Sequence, residues 1–199
     1  MNELVFPNIN IENLAQWEGD LSPLECIEIK DETHNVKSFT FKSKLDAWFH
    51  FLPGQHTTLF LNIDGSEVMR TYTIASSPTR PHTITITNKR MNDGVVTNWM
   101  HESLKVGDCI DALDIGGSFS VALDKPRTKI LLMSGGSGIT PMLSMARYCI
   151  DLSLNVDLIF IHHAQSSKDL IAKDELEYYQ LHKSNFQRHF ICDVADSDW

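Results

Sequence analysis

Several features that would define this chain's class immediately are scarce or missing. There are four cysteines, Cys26, Cys109, Cys149 and Cys192, too far apart for a CxxC pair or a zinc set. Four is also few for a secreted disulfide scaffold, so reduced thiols in a cytoplasm are the expectation. No stretch approaches the roughly 20 apolar residues of a membrane helix, and the N-terminus lacks a basic start followed by an apolar run. No membrane span is expected. Positive charge is scarce, with 17 Lys and Arg against 26 Asp and Glu and a formal net charge of -9. Polyanion binding depends on a cationic surface that displaces counterions, so DNA and RNA are discounted as partners. No Ser-His-Asp or Cys-His arrangement stands out, which leaves hydrolysis unsupported. Acidity does not oppose a bound dinucleotide, because a few amides and one or two basic side chains hold a pyrophosphate.

The composition, 42% hydrophobic and 22% charged, is that of a globular protein. Residues 1–23 show no sustained period and read as an N-terminal extension. From Leu24 short β-branched or alternating runs follow one another: 24–30, 36–42, 57–63, 68–75, 83–88 and 109–115. Pro53-Gly54, Asp64-Gly65, Ser77-Pro78 and Gly116-Gly117 punctuate them. Six short strands predict an antiparallel barrel or sandwich over 24–125, interrupted by helical spacing at 96–104. After Pro126 the rhythm becomes strand 129–133, helix 140–151, strand 156–162, helix 168–182 and strand 188–194. This βαβαβ unit over 126–199 predicts a parallel sheet, one half of a doubly wound nucleotide-binding domain.

Three segments carry chemistry. In Arg70-Thr71-Tyr72-Thr73-Ile74, strand alternation puts Arg70 and Tyr72 on one face and Thr71 and Thr73 on the other. A guanidinium, an aromatic plane and a hydroxyl suit a phosphate, a ring and ring nitrogens. An ordinary amphipathic strand with a surface arginine would read the same way. Gly94-Val95-Val96-Thr97 opens a short helix after Thr87-Asn88-Lys89, where orphan amides form an anion site. A capped structural helix is the other reading. Gly135-Gly136-Ser137-Gly138-Ile139-Thr140-Pro141 lies between a buried strand and a helix, the context of a dinucleotide loop, with Pro141 in place of the last glycine of GxGxxG. Proline is tolerated in a first helical turn, so Thr140 is expected to cap the helix. His162 and His163 point to opposite faces of a strand with no third ligand evident, so no metal is expected.

Together these segments resemble the ferredoxin-NADP reductase superfamily. Arg70-Thr71-Tyr72-Thr73 is similar to its Arg-x-Tyr-Ser/Thr flavin motif, Pro53-Gly54-Gln55 to the turn before its flavin strand, and Gly94 to Thr97 to its Gly-x-x-Ser pyrophosphate segment. The loop from Gly135 to Pro141 resembles its nicotinamide loop. The resemblance implies FAD held by Arg70, Tyr72, Thr73, Ile74, Thr87, Asn88, Lys89 and the segment Gly94, Val95, Val96, Thr97. It implies NAD(P)H as electron donor, held by Gly135, Gly136, Ser137, Gly138, Thr140, Pro141 and Gln165, with Tyr72, Thr73 and Thr140 at the reacting rings. Many members carry Arg at the position of Gln165, which leaves 2'-phosphate recognition open, with Lys168 a substitute.

The implied acceptor is a redox partner protein, an iron-sulfur protein or a cluster on a missing domain. No Cys-x4-Cys-x2-Cys run is present for an attached [2Fe-2S] cluster, nor the Cys-Gly-Pro segment with which the family's nucleotide domain ends. Either a fragment or a natural short form is implied, with a truncated α/β domain that binds flavin more securely than it reduces it. The alternative from another class is a flavin-binding relay or interaction module with impaired NAD(P)H oxidation.

Overall fold

The computed structural model describes residues 16–17, 21–122 and 127–194. Alternation of apolar and polar residues builds six strands: β1 (Ser22–Thr33), β2 (Val36–Ser43), β3 (His56–Ile63), β4 (Ser66–Thr73), β5 (Thr83–Lys89) and β6 (Cys109–Gly116). Their order is β4-β3-β6-β1-β2-β5, all antiparallel. A bridge between Ile74 and Ile86 joins the two ends of this sheet into a barrel. Inside lie Leu24, Phe39, Phe41, Leu59, Ile84 and Ile86, with Met100 of α1 (Val95–Glu102) covering one end. Trp17 also packs into this core, against Phe49 at a ring separation of 5.5 Å.

The sequence predicts a fourth strand running to Ala75, but β4 ends at Thr73. There the chain leaves its ladder with β3, and Ala75 N donates to Thr85 O, so the same stretch serves both ends of the barrel. Thr73 therefore sits at a corner rather than mid-strand.

The second sheet contains β7 (Lys129–Gly135), β8 (Asp157–Ala164) and β9 (Phe186–Cys192), parallel and in that order. Helices α2 (Thr140–Asp151) and α3 (Lys173–His182) bury Leu143, Ala146, Leu176 and Tyr179 against Leu132, Leu158 and Phe160. Both crossovers thus pack on one face, as strands of the same hand and order require. On the other face Leu131, Met133, Ile159 and Ile191 are exposed.

Two expectations need correction. The helix expected over 168–182 is divided. Ser166 and Asp169 form a capping box that closes a separate 3₁₀ turn, Leu170 is extended, and Ala172 takes φ +54° before α3 begins at Lys173. Leu170 and Ile171 are buried as connecting residues, and their apolar character imitated a helical stripe. Thr140 is not an N-cap, because the glycine loop closes in a 3₁₀ turn (Gly136–Ile139) that runs straight into α2. The cap position is Ile139, and the Thr140 hydroxyl donates to Ser137 O at 3.4 Å. The 125/126 boundary falls outside the described residues.

Candidate functional site

The register of β3 with β4 pairs Thr57 with Tyr72 and Leu59 with Arg70, so both site residues share one face of β4, while Thr71 and Thr73 share the other. Among the described residues β4 is the end strand, with backbone groups along its outer side open to a ligand. Burial is the larger influence on the Tyr72 phenol and raises its pKa, while the nearby Arg70 charge works to lower it. The Arg70 guanidinium meets one acceptor among the described residues, the carbonyl of adjacent Met69 at 2.7 Å, and is otherwise exposed. A cation beside a half-buried phenol at an open strand edge fits an anionic, ring-bearing ligand.

Gln55, which the sequence marks only as part of a turn, holds this corner together. Its Oε1 accepts from Leu52 N at 2.7 Å, its Nε2 donates to Gly117 O at 2.9 Å, and its carbonyl accepts from Ile74 N at 2.9 Å. Gly54, at φ +99°, is required by close approach, since a Cβ there would stand 2.3 Å from Phe119 O and 2.6 Å from Met145 Cε.

At α1, the first intrahelical bond is Asn98 N to Gly94 O, leaving the amides of Val95, Val96 and Thr97 without helical acceptors. No side chain caps this end, and a Cβ on Gly94 would lie 2.2 Å from Thr97 Oγ1, so only glycine leaves the approach clear. The Thr97 hydroxyl donates to Gly94 O and accepts from Met91 N, both at 3.3 Å, which shapes the loop. Thr87 and Asn88 are turned inward. Thr87 Oγ1 bonds Ser38 Oγ at 2.7 Å, and Asn88 contacts Met100 Sδ and His101 Nε2, both at 3.0 Å. Burial chiefly lowers the His101 pKa.

The glycine loop leaves β7 with Gly136 at φ +49°, a left-handed conformation in which a side chain is strained. Cβ atoms built at Gly135, Gly136 and Gly138 would meet nothing within 4 Å, so open space lies above the loop. Pro141 stands in the first turn of α2 and Thr140 is buried. A cleft of about 360 Å³ reaches from Gly136 and Ser137 to Gln165, Asp169 and Asp193, with Asn35 and Lys89 of the barrel forming its other wall. Of the residues expected at the two sites, Lys89, Gly136, Ser137 and Gln165 are thus brought together at one cleft. An exposed glycine loop beside a cleft between the two sheets fits a dinucleotide.

The histidines divide as the strand alternation requires. His163 bonds Asp193 Oδ1 at 2.8 Å on the cleft side. His162 is fully buried; its Nδ1 meets Ser134 Oγ at 3.0 Å and its Nε2 has no partner. Burial pushes its pKa down to about 4. Among the described residues no group of three His, Cys, Asp or Glu is placed to hold a metal ion. No helix there is long and apolar enough to cross a membrane.

An antiparallel barrel with Arg70 on its open edge, joined to a parallel sheet with a glycine loop, fits a protein that binds two dinucleotides. Comparison with known families agrees: the Oxidoreductase FAD-binding domain matches residues 23–122 and the Oxidoreductase NAD-binding domain residues 132–199. The chain belongs to the ferredoxin-NADP reductase superfamily. It is 44% identical over 185 residues to the glycine betaine monooxygenase reductase subunit of Pseudomonas aeruginosa, covering 93% of this chain and 50% of that one. It is 39% identical over 166 residues to the stachydrine N-demethylase reductase subunit of Rhizobium meliloti, covering 83% and 46%. The chain therefore spans about half the length of the curated relatives it matches. In fold it is similar to phthalate dioxygenase reductase, with a TM-score of 0.74, 24% identity and coverage of 86% and 52%. The FAD/NAD-binding domain of nitric oxide dioxygenase from Vibrio cholerae gives 0.77, 21%, 86% and 73%.

Proposed function

We propose that this chain is the electron-input part of an oxygenase reductase, taking electrons from NADH through FAD to an iron-sulfur partner protein in the cytoplasm. The observation that carries this reading is the cleft in which the open glycine loop faces Asn35 and Lys89 of the barrel that bears the Arg70-Tyr72 edge. The reductase subunits to which the chain is similar support the partner class. When bound, the two cofactors supply hydride transfer from nicotinamide C4 to flavin N5. The chain's own part is to bind and orient. Arg70 would hold a flavin phosphate, Tyr72 would hold the ring, and Thr73 at the barrel corner would supply a hydroxyl to the ring nitrogens. The amides of Val95 to Thr97 hold the second phosphate of FAD, and Gly136 lets the backbone approach the pyrophosphate of the donor.

NADH is favoured over NADPH because the far end of the cleft carries Gln165, Asp169 and Asp193. A carboxylate there accepts from a ribose hydroxyl and repels a 2'-phosphate. The test is to release the flavin by heat, identify it by chromatography, and compare kcat/KM for NADH and NADPH with an artificial acceptor. FAD and a preference for NADH of at least about tenfold are expected, a factor equal to ~1.4 kcal/mol. FMN alone, or equal use of both nucleotides, would contradict the assignment.

A further inference from the structure

The face of α2 directed at the barrel carries polar side chains three and then four residues apart, at Ser144, Arg147 and Asp151, and all reach the same short segment of the barrel. Ser144 Oγ donates to Ser76 O at 2.7 Å. Arg147 Nη1 donates to Ala75 O at 2.7 Å. Asp151 accepts from Thr79 Oγ1 at 2.5 Å and from Arg80 at 2.8 and 3.1 Å. Segment 75–80 begins two residues beyond Thr73, at the barrel corner, while α2 begins where the glycine loop ends. One helix thus connects the two proposed cofactor sites.

Within this row Arg147 differs in kind. Its side chain is 15% exposed, against 58% for Arg80, and its fork is oriented by Glu175 of α3 through bonds of 2.8 and 2.6 Å. Tyr179 donates to the same carboxylate at 2.6 Å. Burial is the largest single influence and disfavours the Arg147 charge, but the hydrogen bonds to Glu175 and the negative charge around the guanidinium together outweigh it and hold its pKa above the ordinary value. An exposed pair such as Arg80-Asp151 contributes little to stability. A buried pair contributes weakly for a different reason, because desolvation offsets the attraction. What the buried fork adds is direction: two guanidinium nitrogens are fixed on Glu175, so the third can point at a single carbonyl in the other domain.

We propose that Arg147 is a positioning residue, oriented by Glu175, which locks the glycine loop's helix onto the Ala75 carbonyl and so sets the donor ring's distance from the flavin. The proposal rests on the electron-input reading above. Thr140 to Arg147 spans about 10 Å of rigid helix, so play at the Ala75 contact is carried back to the loop. A displacement of about 1 Å at reacting atoms can cost ~100-fold in rate.

The test uses the full chain with its flavin and the variants Arg147→Lys and Glu175→Gln. Lysine keeps the charge without the fork, and glutamine keeps the shape of Glu175 if the lysine variant folds poorly. Anaerobic stopped-flow reduction by NADH separates the limiting rate from the NADH Kd, and NADH deuterated at C4 reports whether hydride transfer limits. Expected are full flavin retention, an unchanged Kd, a limiting rate at least about tenfold lower, and loss of long-wavelength charge-transfer absorbance. In the flavin-free chain, hydrogen exchange should quicken in peptides covering 74–80 in both variants. A limiting rate within about twofold of the parent's, or unchanged exchange over 74–80, overturns the proposal. If the unsubstituted chain holds flavin but NADH does not bleach it, the electron-input reading fails first, and the exchange result still judges the contact.

Discussion

At the scale of single residues, the flavin site depends on Arg70, the cation on the open edge of β4. Arg70→Ala removes a charge-assisted phosphate contact of about 1.5–3 kcal/mol, so flavin should bind roughly 10- to 150-fold more weakly. Equilibrium dialysis of the variant checks this, and flavin retention equal to the parent's would remove Arg70 from the site. The fold should change little, because the guanidinium is exposed. His162 makes a different prediction. Its folded pKa of about 4 lies below the ordinary 6.5, so between those values the unfolded chain takes up a proton that the folded chain refuses. Stability from this residue is complete above about pH 6.5 and is lost as pH falls toward 4. His101, whose pKa is also lowered, acts in the same direction, whereas Glu175 and Asp151, lowered from 4.5 and 3.8, act at more acid pH. His162→Asn should therefore shrink the fall in Tm between pH 7 and pH 4.5 by a few degrees. An unchanged fall would show that His162 is protonated in the fold.

At the scale of elements, the glycine loop and the helix after it form the donor site. Gly136→Ala forces a side chain into the left-handed region at a cost of about 1–2 kcal/mol and puts a methyl group into the open space above the loop. The variant should lose Tm modestly, keep its flavin and bind NADH more weakly; unchanged NADH affinity would place the donor elsewhere. The elements themselves were largely legible, since β-branched alternation marked the six barrel strands and the bounds of α2 match those read from its spacing. The start of α3 was not legible. Leu170 and Ile171 are apolar at helical spacing, and only the three-dimensional fit shows that Ala172 breaks the run. Gln55 and Arg147 were also invisible as functional residues. Gln55 Nε2 meets its partner 62 residues away and Arg147 meets Ala75 across 72, so no local pattern could mark them.

At the scale of the whole molecule, the two domains meet through side-chain contacts as well as through the chain that joins them. Val36 of the barrel is buried in the core of the second domain, and His34 approaches Asp169 at 3.6 Å. These contacts, with the row on α2, bring the barrel corner and the glycine loop to one junction. The family resemblance was readable because three motifs occur in order along the chain, whereas the orientation of the domains depends on side chains that no motif includes. The central claim is that both dinucleotides are bound so that one reduces the other. Anaerobic mixing of the purified, flavin-loaded chain with NADH, followed at the flavin absorbance near 450 nm, tests it most directly. Bleaching that saturates with NADH concentration is the predicted result. A flavin spectrum that stays oxidised at saturating NADH, while dithionite bleaches it, would contradict the claim.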